Sequence, residues 1–380
     1  MDTTPAPVIW PQAPPNFTDH TYTSSTSTPL SVRVWPASPP PSPGSPAAPF
    51  IAWVHGGGYI GGSHFIPFPW LMAGFQRRGY HLVMLNYRLA PQASLDAQLA
   101  DCVEQIAWCR ANLPSILGAD KVDVDRYVVG GESAGGTFST LMGLCLQPPP
   151  RAVVDVYGVV DFIGLEQLGM NEPARDEVGE EVDEWKGEFS EDTLRAYLAD
   201  RDPANVLTDA LSWNEMELIS DVELSKRWVT DFRYNERIRL QAELHIWRSL
   251  RNEPSGLLSC TMHSERFEGD ELALRQFVSS MSPHRVLLER RASGAKVEYP
   301  PTAFLHGTGD VDVPISQSRE MARVLRESGV DVVESYEPEM PHVFDAKYTG
   351  PDVEGWDTYI QPILDFVNEH VGHEVREVEA

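Results

Sequence analysis

The chain has 380 residues, of which 42% are hydrophobic, and its formal net charge at pH 7 is −26. This charge disfavours nucleic acid and anionic membranes as partners, because phosphate binding requires clusters of Lys and Arg. No stretch approaches the roughly 18 consecutive apolar residues that span a bilayer. The N-terminal MDTTPAPVIWPQAPP lacks the basic and apolar regions of a secretory signal. We therefore expect a cytoplasmic protein without a membrane span.

Strand-like and helix-like segments alternate along most of the chain. Leu30 to Trp35 alternates apolar and polar residues, and Phe50 to Val54 is continuously apolar, as in a strand buried on both faces. The other predicted elements are, in chain order, a strand at Leu82–Leu85, a helix at Leu95–Leu113, a strand at Tyr127–Val129, a helix at Thr137–Leu146, strands at Ala152–Val160 and Thr302–Leu305, a helix at Ser318–Ser328 before Gly329, a strand at Val332–Tyr336 and a helix at Trp356–Val371. This order predicts an α/β fold with a mostly parallel sheet covered on both faces. The two early strands are expected at its antiparallel edge.

The strand signal disappears between Phe162 and Tyr299, where helical patterns replace it. We predict that residues 162–299 form a helical cap inserted into an α/β core made of residues 1–161 and 300–380. Such an insertion would cover the carboxyl ends of the strands, where open α/β sheets bind ligands. Four tryptophans of this segment fit either the cap's own core or the wall of an apolar pocket: Trp185, Trp213, Trp228 and Trp247.

A G-x-S-x-G motif, Gly131-Glu132-Ser133-Ala134-Gly135, lies between a predicted strand and a predicted helix. A sharp turn at this place pushes the serine hydroxyl out of the sheet, and the flanking glycines avoid clashes. The helix that follows points its N-terminal amides at developing negative charge. Ser133 is therefore the predicted nucleophile.

A second glycine-rich motif, His55-Gly56-Gly57-Gly58-Tyr59, directly follows the Phe50–Val54 strand. Successive glycines let the backbone approach a ligand closely, so their amides can donate to an oxyanion. In esterases such a loop acts together with the amide of the residue after the nucleophile, which here is Ala134.

Three motifs stand in order in this chain: HGGGYIGGS at 55–63, NYRLAP at 86–91 and GESAGG at 131–136. Together they resemble the hormone-sensitive-lipase-like (fold-3) α/β-hydrolases, a carboxylesterase family, over residues 48–162 and 300–372. The resemblance implies an oxyanion hole made by the amides of Gly57, Gly58 and Ala134, and a structural role for Glu132. The sequence departs from the family pattern at Gln92, where Glu is usual, and in the length of the insertion.

The base and its orienting acid are expected downstream of the cap, because the order in this fold is Ser, acid, His. His306-Gly307-Thr308-Gly309-Asp310 resembles the family's HGTxDxxVP segment, in which the histidine is structural and the aspartate, here Asp310, is the acid. His342 is the predicted base. It stands in a segment that resembles the family's H-G-F, with Val343 in place of glycine. Asp312 could also reach the histidine, but the register against Val313-Pro314 favours Asp310.

These residues predict a serine hydrolase that cleaves a carboxylic ester of a bulky, apolar small molecule through an acyl-enzyme. We expect no metal and no organic cofactor, and the sequence leaves a homodimer open. The same triad could instead hydrolyse an amide or formamide, or cyclise or rearrange a natural product. A non-catalytic ligand receptor on this fold is a further alternative, although it normally lacks a triad residue.

Overall fold

The computed structural model describes residues 13–167, 188–210, 240 and 261–373. Within these ranges, every helix is too short or too polar to cross a bilayer. The strands are β1 (Thr18–Thr23), β2 (Pro29–Trp35), β3 (Ala48–Val54), β4 (His81–Leu85), β5 (Val122–Glu132), β6 (Ala152–Val156), β7 (Thr302–Gly307) and β8 (Val332–Glu337). The described helices are α1 (Pro69–Gly74), α2 (Leu95–Leu117), α3 (Ala134–Cys145), α4 (Phe162–Gln167), α5 (Glu191–Leu198), α6 (Glu271–Ser280), α7 (Pro283–Ala292), α8 (Ser316–Glu327) and α9 (Gln361–Val371).

These strands form one sheet in the order β1-β2-β4-β3-β5-β6-β7-β8. The pairs β1–β2 and β2–β4 are antiparallel, and all pairs from β4 to β8 are parallel. The predicted mostly parallel α/β sheet is therefore confirmed. Of the two early strands expected at its antiparallel edge, Leu30–Trp35 (β2) lies there and pairs with β1, whereas Phe50–Val54 (β3) lies in the centre of the sheet and is parallel to both neighbours, so that this part of the prediction is wrong.

The central strands are buried on both faces, which explains their continuous apolar sequence. Along β3, Phe50, Ala52 and Val54 enter one apolar core, which includes side chains of α2 and α3. The alternate residues Ile51 and Trp53 enter a second core on the opposite face, which includes side chains of α1 and α9. Each fully buried large side chain contributes about 1.5–3 kcal/mol. The sheet is thus a rigid layer whose strand ends can hold a site.

Several element bounds differ from the sequence prediction, and three differences concern the sheet edge or the strand ends. β1 was not predicted, because its residues are mostly polar and exposed and it pairs only at the sheet edge. β6 ends at Val156 rather than Val160, because Tyr157 turns to a φ of 43° and the N–H of Gly158 donates to Asp155 instead of a neighbouring strand. α3 starts at Ala134, directly after Ser133, and not at Thr137.

The described parts of the predicted cap pack beside the carboxyl ends of the strands. Ala210 bridges to Gly62, and the Leu89 N–H donates to Leu207 at 2.8 Å. Phe162 is buried in the core that also contains Ala134. Leu240 is buried in a small apolar cluster with Ile60. Trp185, Trp213, Trp228 and Trp247 lie outside the described residues.

Candidate active site

The turn between β5 and α3 holds Ser133 in an unusual backbone conformation, with φ 53° and ψ −118°. Two glycines make this turn possible. A Cβ atom at Gly135 would lie 1.9 Å from the carbonyl oxygen of Val54, and one at Gly131 would lie 2.4 Å from the backbone of Gly135. Such close packing excludes any side chain at either position. Ser133 therefore stands at the carboxyl end of β5, in front of the first turn of α3.

One chain of hydrogen bonds joins Ser133 to His342 and His342 to Asp310. Along the sequence, 209 positions separate Ser133 from His342, and 32 positions separate Asp310 from His342. The Ser133 hydroxyl lies 3.0 Å from His342 Nε2, and His342 Nδ1 lies 2.7 Å from Asp310 Oδ2. These distances fit a hydroxyl that donates to one ring nitrogen and a ring N–H that donates to the carboxylate. The structure thus brings the three predicted side chains together in the order that general-base catalysis requires.

Asp310, and not Asp312, makes the hydrogen bond to His342. The second oxygen of the Asp310 carboxylate accepts the backbone N–H groups of Asp312 and Val313, each at 2.9 Å. Burial opposes the charge, but hydrogen bonds from His306 and His342 and from the Val313 amide hold the pKa of Asp310 well below its ordinary value. Asp310 is buried, whereas Asp312 is exposed. The acid beside His342 is therefore a fixed anion.

His306 holds the loop that carries Asp310. Its ring is fully buried, with Nε2 at 2.8 Å from the Val313 carbonyl and Nδ1 at 2.7 Å from the Ser318 hydroxyl. The same Nε2 lies 3.3 Å from Asp310 Oδ2, so that its N–H can be shared between the Val313 carbonyl and the Asp310 carboxylate while Nδ1 accepts from Ser318. His306 therefore ties the loop after β7 to the start of α8 and does not face Ser133.

The glycine-rich loop after β3 lies next to the turn that carries Ser133. Gly57 and Gly58 have φ values of 115° and 59°, and the Gly61 N–H donates to the Gly57 carbonyl at 2.9 Å. A Cβ atom at Gly56 would lie 3.2 Å from the Cβ of Ser133. Ala134 is the first residue of α3. The amides predicted to face an oxyanion thus belong to two segments that meet at Ser133.

Glu132 joins these two segments. Its carboxylate accepts the Gly56 N–H at 2.7 Å and the indole N–H of Trp53 through its other oxygen. Burial raises the pKa of Glu132 to about 8, against the effect of these two donors. Glu132 is buried, and these hydrogen bonds go to the segment after β3 rather than to His342. Glu132 therefore holds the glycine-rich loop in place, and it is not a member of the hydrogen-bonded chain of Ser133, His342 and Asp310.

A second anchor, which the sequence did not predict, runs through Tyr59. Its hydroxyl lies 2.8 Å from the Thr137 hydroxyl, which donates to the carbonyl of Val159 at 2.8 Å. Gln98 donates to the Tyr59 carbonyl at 3.0 Å. No local pattern links these residues, because they meet only after β3, α2 and α3 have packed. The loop is therefore held from both sides.

One group of possible metal ligands occurs among the described residues, and it overlaps the triad. The ligand atoms of Asp310, Asp312 and His342 lie within 4.8 Å of one another. Hydrogen bonds already account for both oxygens of Asp310 and for Nδ1 of His342. We assign this cluster to the hydrogen-bonded triad.

The burial of Glu132 predicts a pH-dependent stability. An acid whose pKa rises on folding stabilises the native state at low pH, and this contribution is lost as the pH rises through the folded-state value. As the pH rises from 4.5 to 8, the free energy of unfolding measured with urea should therefore fall in the wild type because of Glu132. Glu132→Gln lacks this loss, so that its stability relative to the wild type should increase with pH. The exposed Glu298→Gln should show no such trend. A constant difference between wild type and Glu132→Gln across this range would contradict the assignment.

Comparison with known proteins finds similar sequences and folds. A family model of the α/β-hydrolase fold matches residues 51–218. Probable carboxylesterase 6 of Arabidopsis thaliana is 32% identical over 114 residues, which cover 30% of this chain and 34% of that protein. The crystal structure of carboxyl esterase 2 from Tuber melanosporum superposes with a TM-score of 0.52 at 17% identity and covers 96% of this chain and 92% of that one. At this identity the superposition shows the fold.

A longer sequence match is to a much larger protein. The non-reducing polyketide synthase Preu6 of Preussia isomera is 26% identical over 326 residues, which cover 84% of this chain and 13% of that synthase. The chain therefore spans a small part of this relative. The family model, the carboxylesterase relative and the motifs around Ser133 agree with one another. The chain has the α/β-hydrolase fold, and its sequence is similar to those of carboxylesterase-type hydrolases.

Proposed function

We propose that this protein hydrolyses a carboxylic ester through a covalent acyl-enzyme on Ser133. The observation that carries the proposal is the hydrogen-bonded chain from Ser133 through His342 to Asp310, with distances of 3.0 and 2.7 Å. A serine on a strained turn, a histidine within reach and a buried carboxylate behind it are the parts that nucleophilic acyl transfer needs. The receptor alternative is disfavoured, because all three side chains are present and aligned.

Acylation begins when the Ser133 oxygen attacks the ester carbonyl and its proton passes to His342 Nε2. The carbonyl π electrons move to the oxygen, and the amides of Gly57, Gly58 and Ala134 donate to this oxyanion. Asp310 stabilises the positive charge on the ring and holds the Nδ1–H tautomer. When the intermediate collapses, His342 returns the proton to the leaving alcohol.

Deacylation repeats these steps with water as the nucleophile. His342 takes a proton from water, the resulting hydroxide attacks the acyl carbon, and the same amides hold the second oxyanion. Collapse breaks the bond to Ser133 Oγ, which regains its proton from His342, and the carboxylic acid leaves. Proton transfers thus use the side chains of Ser133 and His342, and both oxyanions are held by backbone amides.

We further propose that residues 162–299 cap the site and form much of the wall of an apolar substrate pocket. The contacts of Leu207, Ala210 and Phe162 with the core support this position, because they adjoin the glycine-rich loop and the helix after Ser133. The Phe162 ring lies 5.9 Å from that of Tyr59. The tryptophan content of the segment favours a bulky, apolar substrate.

A fluorophosphonate probe tests the nucleophile directly. We expect the probe to label Ser133 in the wild type, and Ser133→Ala to lose both labelling and the turnover of nitrophenyl esters. Removing a triad nucleophile leaves only the catalysis that binding and the oxyanion hole supply, several orders of magnitude lower. Labelled peptides located by mass spectrometry give the site. Full activity in Ser133→Ala would overturn the proposed function.

A pair of aspartate variants tests the orienting acid. Asp310→Asn should lower kcat by orders of magnitude, roughly 10⁴-fold in the serine-protease example, because the histidine loses the anion at Nδ1. Asp312→Asn is the matched control and should lower kcat little, since its side chain is exposed. The opposite order of effects in steady-state kinetics would transfer the role to Asp312.

A second candidate function is the release or cyclisation of an acyl chain made by a synthase. The relationship to the polyketide synthase Preu6 favours it, since the match extends over 84% of this chain. The acyl-enzyme is common to both candidates. They differ in the acceptor, which is water in hydrolysis and a hydroxyl group of the acyl chain itself in cyclisation.

A substrate series with product analysis tests both proposals. We expect kcat/KM to increase from acetate esters of small alcohols to bulky aryl esters, because contacts away from the carbonyl position it for attack. A thioester of a long-chain hydroxyaryl acid should give the free acid if water is the acceptor. The cyclisation candidate gives instead a lactone, smaller by one water in mass spectrometry. Preferred turnover of small acetates would contradict the large apolar pocket.

A further inference from the structure

A buried tyrosine lies against the catalytic histidine without belonging to the triad. Tyr157 directly follows β6 and is fully buried. Its ring centroid lies 4.5 Å from that of His342, and the two planes are tilted by 55°. The positive φ of 43° at this non-glycine residue is a strained conformation, which persists only where the surrounding structure enforces it. The contact is therefore a specific feature of the site.

The hydroxyl of Tyr157 binds a second buried acid behind the histidine. It donates to Asp345 Oδ1 at 2.6 Å, and the indole N–H of Trp70 donates to Asp345 Oδ2 at 2.8 Å. Asp345 is fully buried, and within the described ranges it forms no ion pair with Lys or Arg. Burial raises the pKa of Asp345, and the two donors oppose this effect. Both oxygens of the carboxyl group are thus occupied by donors, an arrangement that favours the anion.

His342 becomes positively charged during each proton transfer, and this cation forms on a partly buried side chain. A negative charge nearby favours the charged form of the ring, more strongly where water is excluded. Asp310 supplies one such charge at 2.7 Å from Nδ1. Asp345 interacts electrostatically with His342, and this interaction favours the charged form of Asp345 by lowering the pKa that burial raises.

We propose that Tyr157 and Asp345 are positioning residues for His342. The Tyr157 ring fixes the plane of the imidazole towards Ser133, and the Asp345 carboxylate, held by the Tyr157 hydroxyl, stabilises the imidazolium. This inference rests on the proposed role of His342 as the base. No local sequence pattern predicts it, because Tyr157 and Asp345 are 188 positions apart.

Other titratable groups near His342 and Tyr157 must be kept constant in a test. Asp310 and Asp312 lie in the loop after β7 beside His342, whereas His306 in β7 and Glu132 at the end of β5 lie near Tyr157. The remaining two groups are Tyr157 itself and Asp345. The informative variants change only the last two.

The test compares Tyr157→Phe and Asp345→Asn with the wild type in two measurements. The first is the pH profile of kcat/KM for a nitrophenyl ester. The second is the titration midpoint of the His342 ring signals in ¹⁵N-histidine NMR, assigned by their loss in His342→Gln. We expect kcat/KM to fall about three- to tenfold, and the acidic limb and the NMR midpoint to move down by about half a pH unit or more. The direction follows because a less stabilised imidazolium loses its proton at lower pH.

Tyr348→Phe is the matched control. Tyr348 also donates from a buried hydroxyl to a carboxylate, Glu337 Oε2 at 2.6 Å, but its ring packs against Phe344 and Trp356. It should lose comparable stability without moving either titration.

Unchanged midpoints in Tyr157→Phe, or equal shifts in all variants, would overturn the inference. If the wild type turns over no ester, the proposed function fails, and the NMR titration alone decides the role of Tyr157. If Asp345→Asn does not fold, Tyr157→Phe still gives the answer.

Discussion

The close approach of β3, β5 and α3 around Ser133 is the constraint on which the site depends. The backbone of Gly135 packs so tightly on the end of β3 that a Cβ atom there would lie 1.9 Å from the Val54 carbonyl. This contact turns the chain sharply from strand to helix and forces the positive φ of Ser133. The glycine-rich loop leaves β3 at the same place, since His55 directly follows Val54. One packing contact thus sets the position of Ser133, the proposed nucleophile, and of the loop that is proposed to hold the oxyanion.

Buried carboxyl groups fix the other parts of the site at some cost in stability. Glu132 ties the glycine-rich loop to the turn after β5, Asp310 binds His342, and Asp345 lies behind Tyr157. A buried acid is unfavourable unless donors surround it, and each of these three accepts at least two hydrogen bonds. Val343 adds strain, because its φ of 63° is a conformation that β-branched residues rarely adopt. The turn after His342 is therefore held by tertiary contacts rather than by local preference.

The fold and the triad could be predicted because their signals are local. Continuous apolar strands, the glycines around Ser133 and the order of acid and histidine each follow from a short segment of sequence. The choice of Asp310 over Asp312 came from register alone, and the hydrogen bond to His342 agrees with it. The contacts of Tyr59 with Thr137 and of Tyr157 with Asp345 could not be predicted, because each joins residues on separate elements. The early end of β6 was missed because Val159 and Val160 continue the apolar pattern beyond the turn at Tyr157.

The choice between hydrolysis and cyclisation must come from outside the triad. Ser133, His342 and Asp310 would perform the same steps for water and for a hydroxyl group of the acyl chain, because both acceptors lose a proton to His342 Nε2. The two reactions differ in which acceptor reaches the acyl carbon. For cyclisation to compete with hydrolysis, the site must exclude water and the acyl chain must fold back on itself. The strand ends supply only the floor of such a chamber. We propose that its walls come from the insertion between β6 and β7, whose described residues Phe162 and Ala210 contact the core. A change from hydrolysis to cyclisation would therefore require changes in this insertion, while the contacts around Ser133 stay the same.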